Sequence, residues 1–382
     1  MKTVATDADR ALLRRALELA QGGRGRVAPN PLVGAVLARE PAAGTDAEVI
    51  GEGFHAELGG RHAEVAAIAD ARAAGHDPAG ATLFVTLEPC AHHGRQPPCA
   101  DAILEAGIRR VVIGADDPTA KASGRGPRAL AEAGVEIVYA NGEDADAARL
   151  VNQPFRKLAR TGRPHVRFKA AVSLDGFTAT TDGVSRWISG PESRALVHEW
   201  RSECGGVAVG IGTALADDPL LTARAAEGDP QPGRQPARIV FDSGARLPLS
   251  SKLVASIDEA PLYVVARPTA GEGARALLQA GAEVIEVEGD AAERVRAALD
   301  ALGARGVDSI LLEGGATLAG AFYEAGEIDE LCLFIAPILL GSGRPLLAGR
   351  GVPSPADADP AIALDSRRSG DDLLVRARLR EW

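Results

Sequence analysis

Cysteine is scarce in this chain: Cys90, Cys99, Cys204 and Cys332 are the only four in 382 residues. That excludes a disulfide-stapled secreted scaffold, and in a reducing compartment such side chains are thiols or metal ligands before they are disulfides. Aromatic residues amount to 4%, too few for the stacking platforms of a single-strand nucleic-acid binder. Basic charge is short as well: 42 Lys and Arg stand against 52 Asp and Glu, a net charge of -10, which argues against gripping phosphate backbones as the main task. No apolar run approaches the ~20 residues of a membrane span. The opening "MKTVATDADRALLRRALELAQ" is charged and amphipathic, without the apolar centre of a signal peptide. A cytoplasmic protein, with no membrane and no nucleic-acid partner, is expected. No repeat of fixed period occurs, and no G-x-G-x-x-G follows a strand in the C-terminal half, so the usual dinucleotide fingerprint is missing.

What is present describes a globular chain. Apolar residues make up 46% and charged residues 25%, and the length suggests roughly two or three domains. In the first half, helical spacing over residues 7–20, strands in "PLVGAVLA" and "VIGEGF", a helix in "AEVAAIADARAAG", a strand in "ATLFVTLE", a helix in "CADAILEAG" and a strand in "RRVVIGADD" alternate, with a hairpin-like turn expected through "PAAGTDAE". Such alternation implies a central sheet with helices on its faces. Thr161, Gly162 and Pro164 interrupt a polar helix. The expected division is therefore a first domain over 1–150, a linker over 151–163 and a second α/β domain over 164–382. "RAAEGDPQPGRQPAR" and "GRGVPSPADADPAIA" read as Pro/Gly-rich loops in the second.

Two of the four cysteines carry the first chemistry. In "TLEPCAHHGRQPPCADAI", Cys90 ends a strand and Cys99 starts a helix, and both can face the helix that opens with His62 in "RHAEVAAI". One imidazole and two thiolates leave a tetrahedral zinc position open, which separates catalytic from structural zinc. Helix N-termini favour the thiolate form, and water in the fourth position would have its pKa lowered towards 7. Glu64, two residues beyond the ligand, is placed to carry the proton as a general acid/base. The H-x-E and P-C pattern matches the zinc-deaminase layout, although the usual spacing between cysteines is two residues and here it is eight. A structural site with His92 or His93 as fourth ligand is the alternative. Glu88 is expected to serve structure or the substrate amine, not the metal.

"PNPLVGAVL", "GEGFHAELGGRHAEV", "VTLEPCAHHGRQPPCADAI" and "DPTAKASGRG" resemble the deaminase half of the bifunctional riboflavin-biosynthesis family, RibD, in which the longer cysteine insert is usual. The resemblance implies a cytidine-deaminase-like three-layer α/β/α domain, zinc on His62, Cys90 and Cys99, and Glu64 as catalytic proton carrier. It implies as substrate 2,5-diamino-6-(5-phosphoribosylamino)pyrimidin-4(3H)-one, with Asn30 bonding the pyrimidine and His55, His92, His93, Arg95 and Lys121 as candidates for the phosphoribose.

In the second half "SILLEGGATLAGAF" runs strand, Gly-Gly turn, helix. Gly314 and Gly315 permit close backbone approach, and the amides opening the helix form an anion site suited to a pyrophosphate. "KAAVSLDGFTA", "SRWISG" and "GIGTALADDPLLTAR" together with "LLEGGATLAGAF" resemble the reductase half of the same family, similar in fold to dihydrofolate reductase. That resemblance implies NADPH on Ala171, Trp187, Thr213, Asp217, Ser243 and the run Gly315, Ala316, Thr317, Leu318, Ala319, Gly320, Ala321. It implies substrate contacts from Ser185, Arg201, Leu221, Arg224 and Glu313, the arginines supplying charge for the phosphate. Lys169 and Asp175 are further polar candidates. The implied second reaction is hydride transfer from NADPH to C1′ of the ribosylamino group. A homo-oligomer, dimer or tetramer, is expected. The rivals are a nucleobase or tRNA deaminase with an unrelated C-terminal domain and a non-catalytic zinc-stabilised binding module, which would have no use for Glu64.

Overall fold

The computed structural model describes residues 5–39, 47–94, 96–224 and 234–382. The expected turn through "PAAGTDAE", most of the loop "RAAEGDPQPGRQPAR" and Arg95 lie outside them. Two compact units form, one of residues up to Thr161 together with Trp382, the other Gly162–Glu381.

The first unit is built on a five-stranded sheet of order β2-β1-β3-β4-β5, with β1 Gly34–Arg39, β2 Glu48–Phe54, β3 Thr82–Leu87, β4 Arg110–Ala115 and β5 Glu136–Tyr139. β1 runs antiparallel to both β2 and β3, whereas β3, β4 and β5 are parallel. Alternation sorts the side chains. Ala35, Leu37, Leu83, Val85, Val111 and Ile113 pack on one face with α2 (Ala63–Ala73), α3 (Cys99–Glu105) and α4 (Arg125–Glu132). Val36, Ala38, Phe84 and Val112 pack on the other with α1 (Asp7–Ala20), and α5 (Gly142–Leu150) adds Ala148 beside Leu87 and Ala115. This period of two, buried on both sides, is what a three-layer α/β/α arrangement requires.

α1 starts with a capping box. The Thr6 hydroxyl accepts from the Asp9 amide at 3.3 Å while Asp9 accepts from the Thr6 amide at 2.8 Å. Asp9 also takes both guanidinium nitrogens of Arg110, at 2.6 and 2.9 Å, tying α1 to β4. The stretch expected as linker is largely helical. α6 (Gln153–Thr161) belongs to the first unit and places Phe155 in the wall of its cavity, and the division between units falls at Gly162. Despite its polar composition, α6 buries Arg156 and Lys157.

The second unit has a nine-stranded sheet of order β10-β9-β8-β7-β11-β6-β12-β14-β13. β6 (His165–Ser173), β7 (Gly206–Gly210), β8 (Ala237–Phe241), β9 (Leu262–Ala266), β10 (Glu283–Glu286), β11 (Ser309–Leu312) and β12 (Glu330–Ala336) are all parallel. The hairpin β13 (Ala363–Ser369) and β14 (Asp372–Arg378) then adds to β12 antiparallel. α11 (Ala291–Ala304) and α12 (Ala316–Glu324) cover one face. α7 (Pro191–Glu203), α8 (Ile211–Asp217), α9 (Lys252–Ala255) and α10 (Gly271–Gln279) pack on the other. No helix among the described residues is long and apolar enough to cross a membrane.

Candidate active sites

The small side chains of α2 let it lie against β2. A Cβ added at Gly53 would sit 2.4 Å from the Ala67 amide nitrogen, so only glycine admits this approach. His62 is the N-cap of α2 and Glu64 lies in its first turn. Cys90 follows β3 and Cys99 opens α3, the Cys99 amide donating to the Cys90 sulfur at 3.4 Å. The metal-ligand atoms of His62, Cys90 and Cys99 come within 4.8 Å of one another. His62 Nδ1 lies 3.0 Å from Cys99 Sγ and 3.6 Å from Cys90 Sγ. Neither His92 nor His93 joins this group. His92 lines the cavity beside it and His93 is exposed.

Charge is shared across the set. Cys90 is held below the usual thiol range by hydrogen bonds from Cys99 and His62, and Cys99 is pushed up by its bond to Cys90 and by burial. Glu64, 4% exposed, is pushed up to about 7 by burial, and its carboxyl is in hydrogen-bond contact with Cys99.

A cavity of about 480 Å³ opens on His62, Glu64 and Cys90, lined also by Asn30, His55, Glu88, Gln96, Asp117, Thr119, Lys121 and Phe155. His55 Nδ1 faces the Arg61 carbonyl at 3.0 Å and is therefore the protonated nitrogen. Its Nε2 then accepts from the Asn30 amide at 3.2 Å, orienting Asn30. Burial holds His55 below its ordinary value, in the neutral form this bond needs. Phe155, Gln96 and the Asn30–His55 bond were not legible in the sequence. Only the "PNP" turn gave a signal, and it named Asn30 without its partner.

In the second unit Thr213 follows β7, Ser243 follows β8 and Glu313 follows β11, at the C-terminal ends of parallel strands, where open α/β sheets bind ligands. Glu313, just after β11, takes Arg201 of α7 at 2.6 and 2.9 Å, and Arg201 also donates to the Thr222 carbonyl at 3.2 Å. Arg201 is thus already neutralised, while the Arg224 Nε is buried without a hydrogen-bond partner among the described residues. Leu221, buried at φ 57°, precedes that segment. Lys169 lies near Glu313 and Arg201, its pKa lowered by burial. Asp175 accepts from Ser173 Oγ at 2.5 Å and from the amides of Leu340 and Gly341 at 3.1 and 2.6 Å.

Gly315 caps α12, and a Cβ there would meet nothing nearer than Thr213 Oγ1 at 3.8 Å, an open cradle beside the first turn. Ala316, Thr317, Leu318 and Ala321 are exposed or half-buried. Ala319 and Gly320 instead turn into the protein, where a Cβ on Gly320 would sit 1.7 Å from the Ala348 carbonyl, because the helix has rotated through its first turn. Trp187, 70% exposed, stacks under Arg194 at 4.4 Å, and Arg186 pairs with Asp217 at 3.3 Å. Ala171 is half-buried on β6. Ser185 and Ser243 are exposed in loops.

Residues 6–115 match the family model "Cytidine and deoxycytidylate deaminase zinc-binding region", and residues 164–374 match "RibD C-terminal domain". The chain is similar to the riboflavin biosynthesis protein RibD of Escherichia coli K12, 39% identical over 376 residues, 96% of this chain and 98% of that one. It is 37% identical over 367 residues to RibD of Aquifex aeolicus, 96% and 97% of the two chains. Among solved structures, Acinetobacter baumannii RibD in its form 1 superposes with a TM-score of 0.84 at 35% identity, covering 98% of this chain and 99% of that one. A diaminohydroxyphosphoribosylaminopyrimidine deaminase/5-amino-6-(5-phosphoribosylamino)uracil reductase from Thermotoga maritima gives 0.81 at 34% identity, with coverage of 98% and 99%. These likenesses bear out the expected two-domain α/β fold. They also exclude a C-terminal half unrelated to riboflavin biosynthesis.

Proposed function

Because this chain belongs to the RibD family, the bifunctional riboflavin-biosynthesis proteins, we propose that its two units perform consecutive reactions on one phosphoribosylaminopyrimidine. The N-terminal unit removes the 2-amino group of 2,5-diamino-6-(5-phosphoribosylamino)pyrimidin-4(3H)-one as ammonia. The C-terminal unit reduces the ribosyl side chain of the product to ribityl with NADPH. The observation that carries the reading is the convergence of His62, Cys90 and Cys99 beside buried Glu64 on an open cavity.

One nitrogen and two sulfurs fit zinc, and three protein ligands are the pattern of a catalytic centre. Zinc on these residues supplies a Lewis acid that makes water nucleophilic at neutral pH. Glu64 takes the proton from the attacking water on its carboxylate and returns it to the departing amine. Asn30, oriented by His55, holds the pyrimidine edge, and the cavity walls exclude bulk water. In the second unit the open cradle at Gly315 and the amides starting α12 suit a pyrophosphate. NADPH bound there supplies the hydride. Arg224 offers charge to the substrate phosphate, while Glu313 holds Arg201 and the segment after Leu221 in place. Ala171, Trp187, Thr213, Asp217 and Ser243 would complete the cofactor contacts, and Ser185 the substrate's.

We read the assembly as a cytoplasmic homo-oligomer. The exposed Leu364 and Leu373 on the edge hairpin support a further copy, and sedimentation of the purified chain checks it. The function itself is tested by incubating the protein with the diaminopyrimidine phosphate, with and without NADPH. Ammonia release in both, and NADPH oxidation only after deamination, are expected. Absence of ammonia would refute the first assignment, and absence of oxidation the second.

A further inference from the structure

Glu88 is 7% exposed, lines the deaminase cavity and forms no salt bridge among the described residues. Three neutral donors converge on it instead. Its Oε1 accepts from the Tyr139 hydroxyl at 2.9 Å, and its Oε2 accepts from the amides of Gly124 at 2.9 Å and Asp117 at 3.3 Å. Asp117 and Gly124 are the two ends of one loop, and that loop carries Thr119 and Lys121 to the cavity wall.

Hydrogen bonds within the loop brace it. Asp117 accepts from the amide and hydroxyl of Thr119 at 2.8 and 2.7 Å, and the Thr119 carbonyl accepts from Ala122 and Ser123. β4 runs into the loop through Asp116, whose carbonyl accepts from Arg156 at 2.8 Å, and the Glu88 carboxylate ties both ends of the loop back to the end of β3. On the other side, α4 begins against the next residue: a Cβ at Gly126 would sit 1.8 Å from the Pro89 carbonyl. Cys90 follows directly. The tripeptide Glu88-Pro89-Cys90 thus connects a metal-ligand sulfur to the loop of Thr119 and Lys121.

We infer that Glu88 is a positioning residue of the deaminase, setting the distance between the His62, Cys90 and Cys99 group and the polar groups on the 117–124 loop that hold the far end of the substrate. The inference rests on the proposed deaminase reading. A carboxylate is needed because three donors meet two oxygens. An amide has one oxygen and two N–H groups of its own, so Glu88→Gln turns a donor towards a donor.

The test uses the zinc-loaded full chain. In Glu88→Gln, KM for deamination should rise roughly 10-fold or more while kcat stays within about threefold, the signature of lost substrate positioning. Zinc content and NADPH oxidation with the deaminated intermediate should match wild type. Amide exchange at 117–124 should accelerate selectively. Tyr139→Phe, which removes one of the three bonds and keeps the carboxylate, should raise KM in the same direction by less, and it carries the test alone if Glu88→Gln does not fold. An unmoved KM, or a collapsed kcat at unchanged KM, overturns the inference. A wild type that releases no ammonia overturns the deaminase reading instead.

Discussion

At the residue scale, the proposed deamination turns on one carboxylate, Glu64. Glu64→Gln keeps the shape of the site and removes the proton carrier. Ammonia release should fall by roughly 10²–10⁴-fold with zinc retained and NADPH oxidation intact, as measured by metal analysis and the two assays. The second unit depends on a pair. Arg201 and Glu313 are each 12% exposed and bond bidentately, so Glu313→Ala leaves a buried guanidinium without its partner, at a cost of about 3–5 kcal/mol. Denaturant unfolding of this variant should show that loss. Residue types were legible here: His62, Cys90, Cys99 and Glu64 stand out because few side chains bind zinc. Partner choice was not. Nothing local in the chain says that Arg201 is committed to Glu313, 112 residues away, or that His55 orients Asn30.

At the element scale, the β12–β14–β13 edge is pinned by charge. Glu330 on β12 accepts from Arg167 on β6 at 2.7 Å and from Arg376 on β14 at 2.5 Å. Burial works against its ionisation, but Arg167 and then Arg376 outweigh it and hold the carboxyl at about 2, against 4.5 in the unfolded chain. The folded value is the lower one. Its contribution, about 3 kcal/mol, is therefore complete above about pH 4.5 and lost as pH falls through about 2. Unfolding free energies measured from pH 6 to 2 should decline more steeply for wild type than for Glu330→Gln.

This edge is also where the sequence was least readable as structure. "ALDSRRSGDDLLVRAR" lacks the Val/Ile/Leu runs of the parallel strands. The reason is burial: β13 exposes most of its residues and belongs to the outermost hairpin, so it needs no apolar run. Central strands such as "SILLE" and "ATLFVTLE", covered on both faces, announced themselves.

At the scale of the whole molecule, two separate cores make two separable stabilities. Because His62, Cys90 and Cys99 must shed protons to hold zinc, acidification or a strong chelator should release the metal. Ammonia release should stop while NADPH oxidation with the deaminated intermediate continues, and calorimetry should show the transition of the first unit moving alone. A single transition that shifts as one would contradict this.

The sequence by itself determined the class of fold, the alternation of buried strands with Ala-rich helices, and the donor types of the metal group, since each is written in local periodicity or in the chemistry of single side chains. Tertiary structure alone decided that α6 completes the first cavity, that Ala319 and Gly320 face inward, and that one carboxylate at Glu88 closes a loop from both ends. Periodicity reports how deeply a residue is buried. Which distant residue it meets there depends on packing between elements, and no local pattern encodes that.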